Sequence, residues 1–300
     1  MKNKQLTGIF PRSHNLVYIT WDFEKNRITK EDLRKEVDKE SKNIIDLQSN
    51  FKYKTDGLLL YQDLFRPFVE NINGIKAGAL TRWFDNNTFF KQPVITGNII
   101  DTNPFLYRYI HKEANKAILP GPFAFFSNSI NKTGDEDREV VCHIAEMIAR
   151  EARDLEHRGI SFIQFNEPFL NFRYSPKQVL KIYGIITSSI SKAKTCIYPY
   201  FGNTSKILPT LLKLEVDCIG SDFISTSLDS FANIDFDKEL LCGVIDSRNS
   251  LVENVQETKA LVEEIKTFFN PKDITICPSC DLEFVPKYIA EKKIKVMEEC

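Results

Sequence analysis

Polar and acidic residues stand directly after several short apolar runs of this 300-residue chain. They are Asp63, Asn166, Glu167, Asp222, Asp246 and Asp281. Carboxylates that gather at one opening suit the binding of an amine or a cation, or general acid–base catalysis. Each has a structural alternative, because an aspartate at a strand end also caps the segment that follows, and Asp246 can pair with Arg248.

One pair of cysteines, Cys277-Pro-Ser-Cys280, has the spacing of a metal or redox motif. The chain has no second Cys-x-x-Cys at zinc-ribbon spacing, and redox motifs of this kind usually open a thioredoxin-type helix. Cys277 lies inside an apolar run and is predicted to be buried, whereas Cys280 lies beyond it and is the better candidate for exposure. Seven cysteines without the spacing of a disulfide scaffold favour reduced thiols and a cytoplasmic location.

The charge balance argues against a nucleic-acid or membrane partner. The chain has 40 basic and 41 acidic residues, so its formal net charge is −1 and no global field attracts anionic polymers or lipids. It contains no uncharged apolar run of about 18 residues. Four arginines near the apolar runs can still bind carboxylates or phosphates through bidentate hydrogen bonds, namely Arg66, Arg82, Arg173 and Arg248.

The elements that position these residues alternate between short apolar runs and helix-like stretches. Eight such units predict an α/β fold, a closed (β/α)8 TIM barrel that forms one domain over residues 1–300. The polar residues would then face one mouth at the C-terminal strand ends. The predicted strands are Leu6–Phe10, Gly57–Tyr61, Ala117–Pro120, Ser161–Phe165, Cys196–Tyr200, Cys218–Ser221, Leu241–Ile245 and Thr275–Cys277.

Amphipathic periodicity predicts three long helices, within Thr29–Asn50, Asp135–Arg158 and Ser250–Phe269. Thr29 is a good N-cap for the first, and Gly159 is predicted to stop the second. One segment breaks the alternation. ALTRWF, a turn-prone Asp-Asn-Asn and TFFKQPVITG predict a β-hairpin over Ala79–Gly97, inserted after strand 2.

Eight motifs follow one another along the chain: GIFPRS, DGLLLYQD, LTRWFDNNTFF, KAILPGPFAF, RGISFIQFNEPFL, YPYFGN, GVIDSRN and ICPSCDLEFVP. In order and spacing they resemble cobalamin-independent methionine synthase, and the resemblance covers nearly the whole chain. It implies one unit of a double-barrel enzyme. The C-terminal barrel of that enzyme holds zinc, which binds homocysteine as a thiolate that takes the methyl group from methyltetrahydrofolate. Zinc lowers the thiol pKa, so the nucleophile forms at neutral pH.

The resemblance also implies which barrel the chain matches. The catalytic barrel has His-x-Cys on its fifth strand, Glu ending the sixth and Cys on the eighth, where this chain has Tyr198-Pro-Tyr200, Asp222 and Cys280. Tyrosine is a poor zinc ligand at neutral pH because the phenol must ionise. Asp222 and Cys280 are therefore a degenerate remnant, and we expect no metal and no cofactor. The departures match the non-catalytic N-terminal barrel, which contributes to the folate-binding side.

Two functions follow from the resemblance. In the first, the chain is the N-terminal-like half of a methionine synthase and acts with a separately encoded zinc-bearing barrel. In the second, it is a stand-alone methyltransferase-like enzyme with an amino-acid or pterin site that lacks zinc or holds it in a rearranged site. Loss of His-x-Cys favours the first and puts catalysis by the chain itself in doubt, whereas the polar mouth keeps the second open. The predicted substrate-binding residues are Asp63, Asn166, Glu167, Tyr198, Tyr200, Asp222, Asp246 and Cys280.

Overall fold

Parallel strands form a curled sheet in the structure, a computed structural model that describes residues 3–168, 170, 174–231 and 234–300. Arg173, one of the four arginines named above, lies outside these residues. In chain order the strands are β1 (Asn3–Lys4), β2 (Ile75–Arg82), β3 (Phe89–Ile95), β4 (Lys116–Pro120), β5 (Ile130–Asn131), β6 (Phe162–Asn166), β7 (Lys194–Tyr198), β8 (Cys218–Asp222), β9 (Glu239–Ile245) and β10 (Asp273–Pro278).

The main sheet of the described residues has seven strands in the order β1, β10, β9, β8, β7, β6 and β4. Every neighbouring pair is parallel. The C-terminal ends of these strands therefore face the same side of the sheet, which we call the mouth. The predicted strands from Ala117 onward correspond to β4 and β6 to β10, with ends shifted by at most two residues.

The prediction of a strand over Gly57–Tyr61 is wrong, because this segment forms a turn. Leu58 and Gln62 have φ angles of 54° and 59°, in the left-handed region that an extended strand excludes. The prediction for the first strand is also misplaced. Its ladder pairing is confined to β1, ahead of the predicted Leu6–Phe10, although Gln5 N still donates to Ile276 O at 3.1 Å.

Nine described helices cover the sheet: α1 (His14–Glu24), α2 (Lys30–Leu47), α3 (Arg66–Asn71), α4 (Pro122–Ser127), α5 (Asp137–His157), α6 (Pro176–Thr187), α7 (Leu208–Leu211), α8 (Val255–Phe269) and α9 (Lys287–Glu299). The predicted N-cap is confirmed, since Thr29 and Asp32 form a reciprocal capping box at α2. Gly159 follows α5 with a φ of 96°, which glycine adopts without strain. The third predicted helix begins later than Ser250, at Val255, because the Asn254 side chain caps it.

An antiparallel pair, β2 with β3, lies where the inserted hairpin was predicted, and begins four residues before Ala79. The short strand β5 extends it into a three-stranded sheet. Aromatic rings tie this sheet to the rest of the chain. Trp83 packs edge-on against Phe65, with ring centroids 5.6 Å apart, and Phe90 contacts both of these rings. We call residues 75–95 the hairpin.

The interior enclosed by the curled sheet is filled by a cluster of its own, distinct from the main apolar core. Its buried members are Tyr53, Phe162, Cys196, Tyr198, Tyr200, Cys218, Leu241, Cys277 and Cys280. Beside it lies Lys116, whose Nζ donates to Gln5 Oε1 at 2.8 Å and to Leu6 O at 2.7 Å. These two bonds connect β4 to the chain that follows β1, the two ends of the sheet order. No described helix is both long and apolar enough to cross a membrane.

Replacing Lys116 by methionine is expected to remove a pH dependence of stability in alkaline solution. Burial lowers the pKa of Lys116 from 10.5 to about 8. Between these values the unfolded chain binds a proton that the folded chain lacks, so this lysine makes stability rise with pH by at most about 1.4 kcal/mol per unit. The measurement is urea unfolding of both proteins in reductant, across that pH range, with the exposed Lys76→Met as control. Equal slopes for wild type and Lys116→Met would contradict the prediction.

Candidate functional site

Tyr198 lies across the interior, and two glycines make room for it. Its ring is fully buried and its hydroxyl donates to Pro278 O at 2.7 Å. A Cβ added at Gly220 would come within 1.7 Å of the ring, and one at Gly243 within 2.4 Å of the hydroxyl. Burial raises the pKa of Tyr198 well above its ordinary value, so the phenol stays neutral.

Tyr200 joins the last strand end to the first motif of the chain. Its hydroxyl donates to Asp281 Oδ2 at 3.1 Å, and Asp281 Oδ1 accepts from Ile9 N at 2.8 Å. A Cβ at Gly8 would stand 1.9 Å from Asp281 Oδ1, so the approach of the two segments requires glycine there. Burial raises the pKa of Asp281 to about 6, although these two hydrogen bonds oppose the shift. The GIFP and CDLEF motifs thus meet at the mouth.

Three acidic residues line one narrow cleft at the mouth, beneath the hairpin: Asp63, Asp281 and Glu283. The cleft has a volume of about 10 Å³, near the lower limit for a single water molecule. Burial and the neighbouring Asp281 raise the pKa of Glu283 well above its usual value, while Arg12 opposes the shift. Trp83 and Phe90 of the hairpin close the cleft from above.

Asp63 is held by protein donors on every side. It accepts from Phe65 N at 3.0 Å, Arg66 N at 2.8 Å and Lys91 N at 3.2 Å, and pairs with Arg66 Nε at 3.3 Å. The first two bonds cap α3, and the bond from Lys91 anchors the hairpin. Burial raises the pKa of Asp63, and Arg66 opposes that shift. The side chain therefore fixes the hairpin to the mouth.

Asn166 and Glu167 point to opposite sides of the sheet. Asn166 Nδ2 donates to Thr7 O at 3.1 Å, on the inner face of the curled sheet, and Gln164 Nε2 donates to Asn166 Oδ1 at 2.7 Å. Glu167 faces the helices, where it accepts from Phe123 N at 3.1 Å and Ala124 N at 2.7 Å. Burial raises its pKa to about 8. Its place is beneath α4 and not in the mouth cleft.

Asp222 and Asp246 cap the loops that follow their own strands. Asp222 Oδ1 accepts from Ile224 N and Ser225 N, both at 3.0 Å. Asp246 is half-buried and its Oδ1 accepts from Arg248 N at 2.9 Å. The Arg248 guanidinium lies 5.1 Å from the centroid of the Phe201 ring. These aspartates therefore shape the rim of the mouth.

The prediction that Cys280 is exposed is wrong, since only 1% of its surface is accessible. Its amide donates to Ser247 Oγ at 3.3 Å, which turns the chain inward after β10. Burial, with the charges of Asp281 and Asp222, raises the pKa of the Cys280 thiol well above its usual value. The thiol is therefore neutral and a weak nucleophile.

The side chains at the mouth do not fit a zinc ion. Asp222 Oδ1 accepts from two backbone amides, Cys280 is a buried thiol, and the two tyrosine hydroxyls donate to oxygens. Within the described ranges, no group of three or more His, Cys, Asp or Glu residues is arranged to hold a metal. Zinc prefers deprotonated thiolate, imidazole and carboxylate ligands.

Sequence reasoning missed the roles of Glu283 and Arg12, and noted Asp281 only as one more strand-end acid. Their signal was present in the motifs GIFPRS and CDLEF, which each place an ionisable residue beside a strand end. The motifs did not reveal that the two ends of the chain lie side by side. The pairing of β1 with β10 brings them together.

The chain resembles known proteins over most of its length. A family described as cobalamin-independent synthase, N-terminal domain, matches residues 43–270. A methionine synthase from Sulfolobus acidocaldarius is 27% identical over 253 residues, which cover 80% of this chain and 73% of the relative. One from Saccharolobus solfataricus is 25% identical over 260 residues, covering 82% of this chain and 76% of that protein.

Two solved structures share the fold. A B12-independent methionine synthase from Shewanella, in complex with selenomethionine, has a TM-score of 0.76 at 17% identity, covering 91% of this chain and 89% of that one. A putative vitamin-B12-independent methionine synthase from Listeria monocytogenes has a TM-score of 0.69 at 16% identity, covering 100% and 96%. The family predicted from the motifs is thus confirmed, and the chain belongs to the cobalamin-independent methionine synthases, where it matches the N-terminal domain.

Proposed function

We propose that this chain is the zinc-free half of a methionine synthase and acts in the cytoplasm beside a separately encoded zinc-bearing barrel. The partner would bind homocysteine as a thiolate, and the methyl group would pass to that sulfur from N5 of methyltetrahydrofolate, leaving tetrahydrofolate. The observation that carries this proposal is the tyrosine pair. Tyr198 and Tyr200 occupy the interior where the catalytic barrel has His-x-Cys, and both hydroxyls are already bonded to protein oxygens.

We further propose that residues 1–300 form one domain, a closed (β/α)8 barrel with the hairpin inserted. The open edges of the sheet are β1 and β4. Residues 54–57 support closure between them, because Lys54 O accepts from Asn115 N and Lys116 N at 3.1 Å. On the other side Gly57 O accepts from Phe10 N at 3.0 Å. An irregular segment would thus stand in for the second strand.

A partner surface at the mouth is part of the same proposal. Large apolar side chains are exposed on the hairpin and on the loops after β8 and β9: Leu80, Phe89, Ile224, Leu251 and Val252. Leu251 is 74% exposed and Leu80 64%. Apolar residues gathered on one face suit a protein interface. A second barrel seated there would cover them and enclose a folate between the two mouths.

We assign the eight predicted site residues two roles within this function. Asp63, Asp222 and Asp246 would shape the rim that contacts the folate or amino acid. The others, Asn166, Glu167, Tyr198, Tyr200 and Cys280, would hold the wall and interior behind that rim. This division rests on the hydrogen bonds that tie the second group to the protein's own backbone and side chains.

The test is a reconstitution assay that follows methionine formation from homocysteine and methyltetrahydrofolate triglutamate with added zinc. We expect no turnover by the chain alone, and turnover when a zinc-bearing barrel from the same host is added. Leu251→Asp should weaken that gain. The control is Tyr288→Asp, which places the same charge at another exposed apolar residue, on α9, and should leave the gain unchanged. Robust turnover by the chain alone, abolished by Cys280→Ala, would refute the proposal.

One observation favours the alternative, a stand-alone enzyme with a zinc-free or rearranged site. The aligned residues cover most of both chains for the two archaeal relatives, so proteins close to this length carry the name methionine synthase. Stoichiometric zinc in the purified chain, together with turnover in the absence of a partner, would establish the alternative. Activity that appears only with the partner would exclude it.

A further inference from the structure

A groove of about 740 Å³ lies between the start of α2 and the turn that replaces the second strand. The groove borders the connection from residue 62 to β4. The described helical segments of this connection are α3 and the 3-10 helix Leu106–Tyr109. Its volume is within the range of small-molecule sites, roughly 300–1,000 Å³.

The floor of the groove is apolar and its rim carries unused cations. Phe23, Leu33 and Leu60 contribute the apolar side chains. Lys30 at the rim has no ion pair with any described residue. Arg108 is exposed and lies on the Tyr107 ring, where its Nε donates to the Tyr107 hydroxyl at 3.4 Å. These two cations are available to an incoming anion.

Two of the other charged groups of the rim, Glu70 and Arg34, are already paired. Glu70 accepts from the Tyr109 hydroxyl at 3.1 Å and lies 3.8 Å from Arg66. Arg34 pairs with Asp38 at 2.9 Å. The acid left over is Glu31, which is exposed at the first turn of α2. The available charge is therefore two cations against one acid.

Gln62 adds a polar group that the fold itself leaves unused. Its side chain lines the groove and makes no hydrogen bond with the part of the chain that the structure describes. Its φ of 59° is uncommon for a residue other than glycine. Strained residues that persist are often held in place for a function.

We propose that this groove binds a small molecule with an aromatic or apolar body and one carboxylate. The body would lie on Phe23, Leu33 and Leu60, and the carboxylate would meet Lys30 and Arg108, with Gln62 donating its amide. An arginine and a lysine give charge-assisted hydrogen bonds to a carboxylate. The groove and the mouth cleft share no lining residue, so the proposal does not depend on the function of the mouth.

The test uses three probes with one naphthyl body: 1-naphthoate, 1-naphthalenemethanol and 1-naphthylmethylammonium, each titrated by calorimetry into the full chain. We expect naphthoate to bind about tenfold tighter than the alcohol, and the ammonium probe to bind weakest. Arg108→Met and Lys30→Met should each cost naphthoate about tenfold and change alcohol binding by less than about twofold.

Two further variants make the outcome decisive. Arg153→Met removes an exposed arginine elsewhere, on α5, and should leave all three affinities unchanged. Leu60→Asp puts a charge on the half-buried floor and should weaken every probe. Equal binding of the three probes, no binding of naphthoate, or naphthoate binding indifferent to Arg108→Met would each overturn the proposal.

Discussion

Gly220→Ala is expected to destabilise the fold by about 3 kcal/mol, at the upper end for overpacked cores. The added methyl would stand 1.7 Å from Cδ2 of Tyr198 and within 2.7 Å of two further ring atoms. The ring cannot slide aside freely, because its hydroxyl is fixed to Pro278 O at 2.7 Å. Relief of the clash therefore breaks that hydrogen bond or moves β8. Urea unfolding in reductant measures the loss.

A control for this substitution is present in the same chain. Gly184 lies within α6, and a Cβ there meets nothing within 4 Å. Gly184→Ala should therefore stabilise the protein by about 0.5–1 kcal/mol, as alanine does in helices. The opposite signs at the two glycines would separate the effect of packing from that of backbone entropy.

A double-mutant cycle identifies the clashing group. Tyr198→Ala alone is expected to cost about 3–5 kcal/mol through the cavity it leaves. In that background Gly220→Ala should cost almost nothing, because the ring that it meets is absent. If the two losses simply add, Tyr198 is not what excludes a side chain at position 220, and the account of the filled interior fails.

Much of the fold could be predicted because buried parallel strands are short apolar runs with polar ends. The run ISFIQFN became β6 within one residue of its predicted bounds. DGLLLYQD is likewise an apolar run with a polar end, yet it forms a turn, because Leu58 and Gln62 adopt left-handed backbone angles. Side-chain type does not reveal such angles when the residues are neither glycine nor asparagine.

The candidate site was harder to predict, because polar residues at strand ends have two uses that look alike in sequence. Asp63, Asp222 and Asp246 each accept hydrogen bonds from backbone amides two or three residues ahead. Short carboxylates make such local bonds readily. The family resemblance singled out the tyrosines, but only the coordinates reveal that their hydroxyls donate to Pro278 and Asp281.

The filled interior and the covered mouth both reduce the space that is left for a ligand inside the fold. Tyr198 and Tyr200 fill the interior enclosed by the curled sheet, and the hairpin reduces the cleft above them to about 10 Å³. What remains available to a ligand is the rim and the exposed apolar residues around it. This arrangement supports the proposal that the chain presents a surface to a second barrel and does not enclose a substrate by itself.

Glu167→Ala is the second substitution with a large expected effect, about 3–5 kcal/mol of stability. The carboxyl is fully buried and accepts from Phe123 N, Ala124 N and, at 2.9 Å, the Tyr183 hydroxyl. Its removal leaves these three donors buried and without a partner. Each such group costs about 1–3 kcal/mol.

The measurement pairs urea unfolding with hydrogen exchange at the amides of Phe123 and Ala124, which should become much faster as α4 loses its anchor. Tyr183→Phe should cost about 1 kcal/mol in the wild type, but should stabilise the Glu167→Ala protein by about 1–3 kcal/mol, because it removes a buried hydroxyl that no longer has an acceptor. The exposed Glu264→Ala on α8 controls for loss of a carboxylate and should change stability by less than about 0.5 kcal/mol. A Glu167→Ala protein as stable as this control, but altered in methionine formation with the partner barrel, would move Glu167 from a structural role to one in ligand binding.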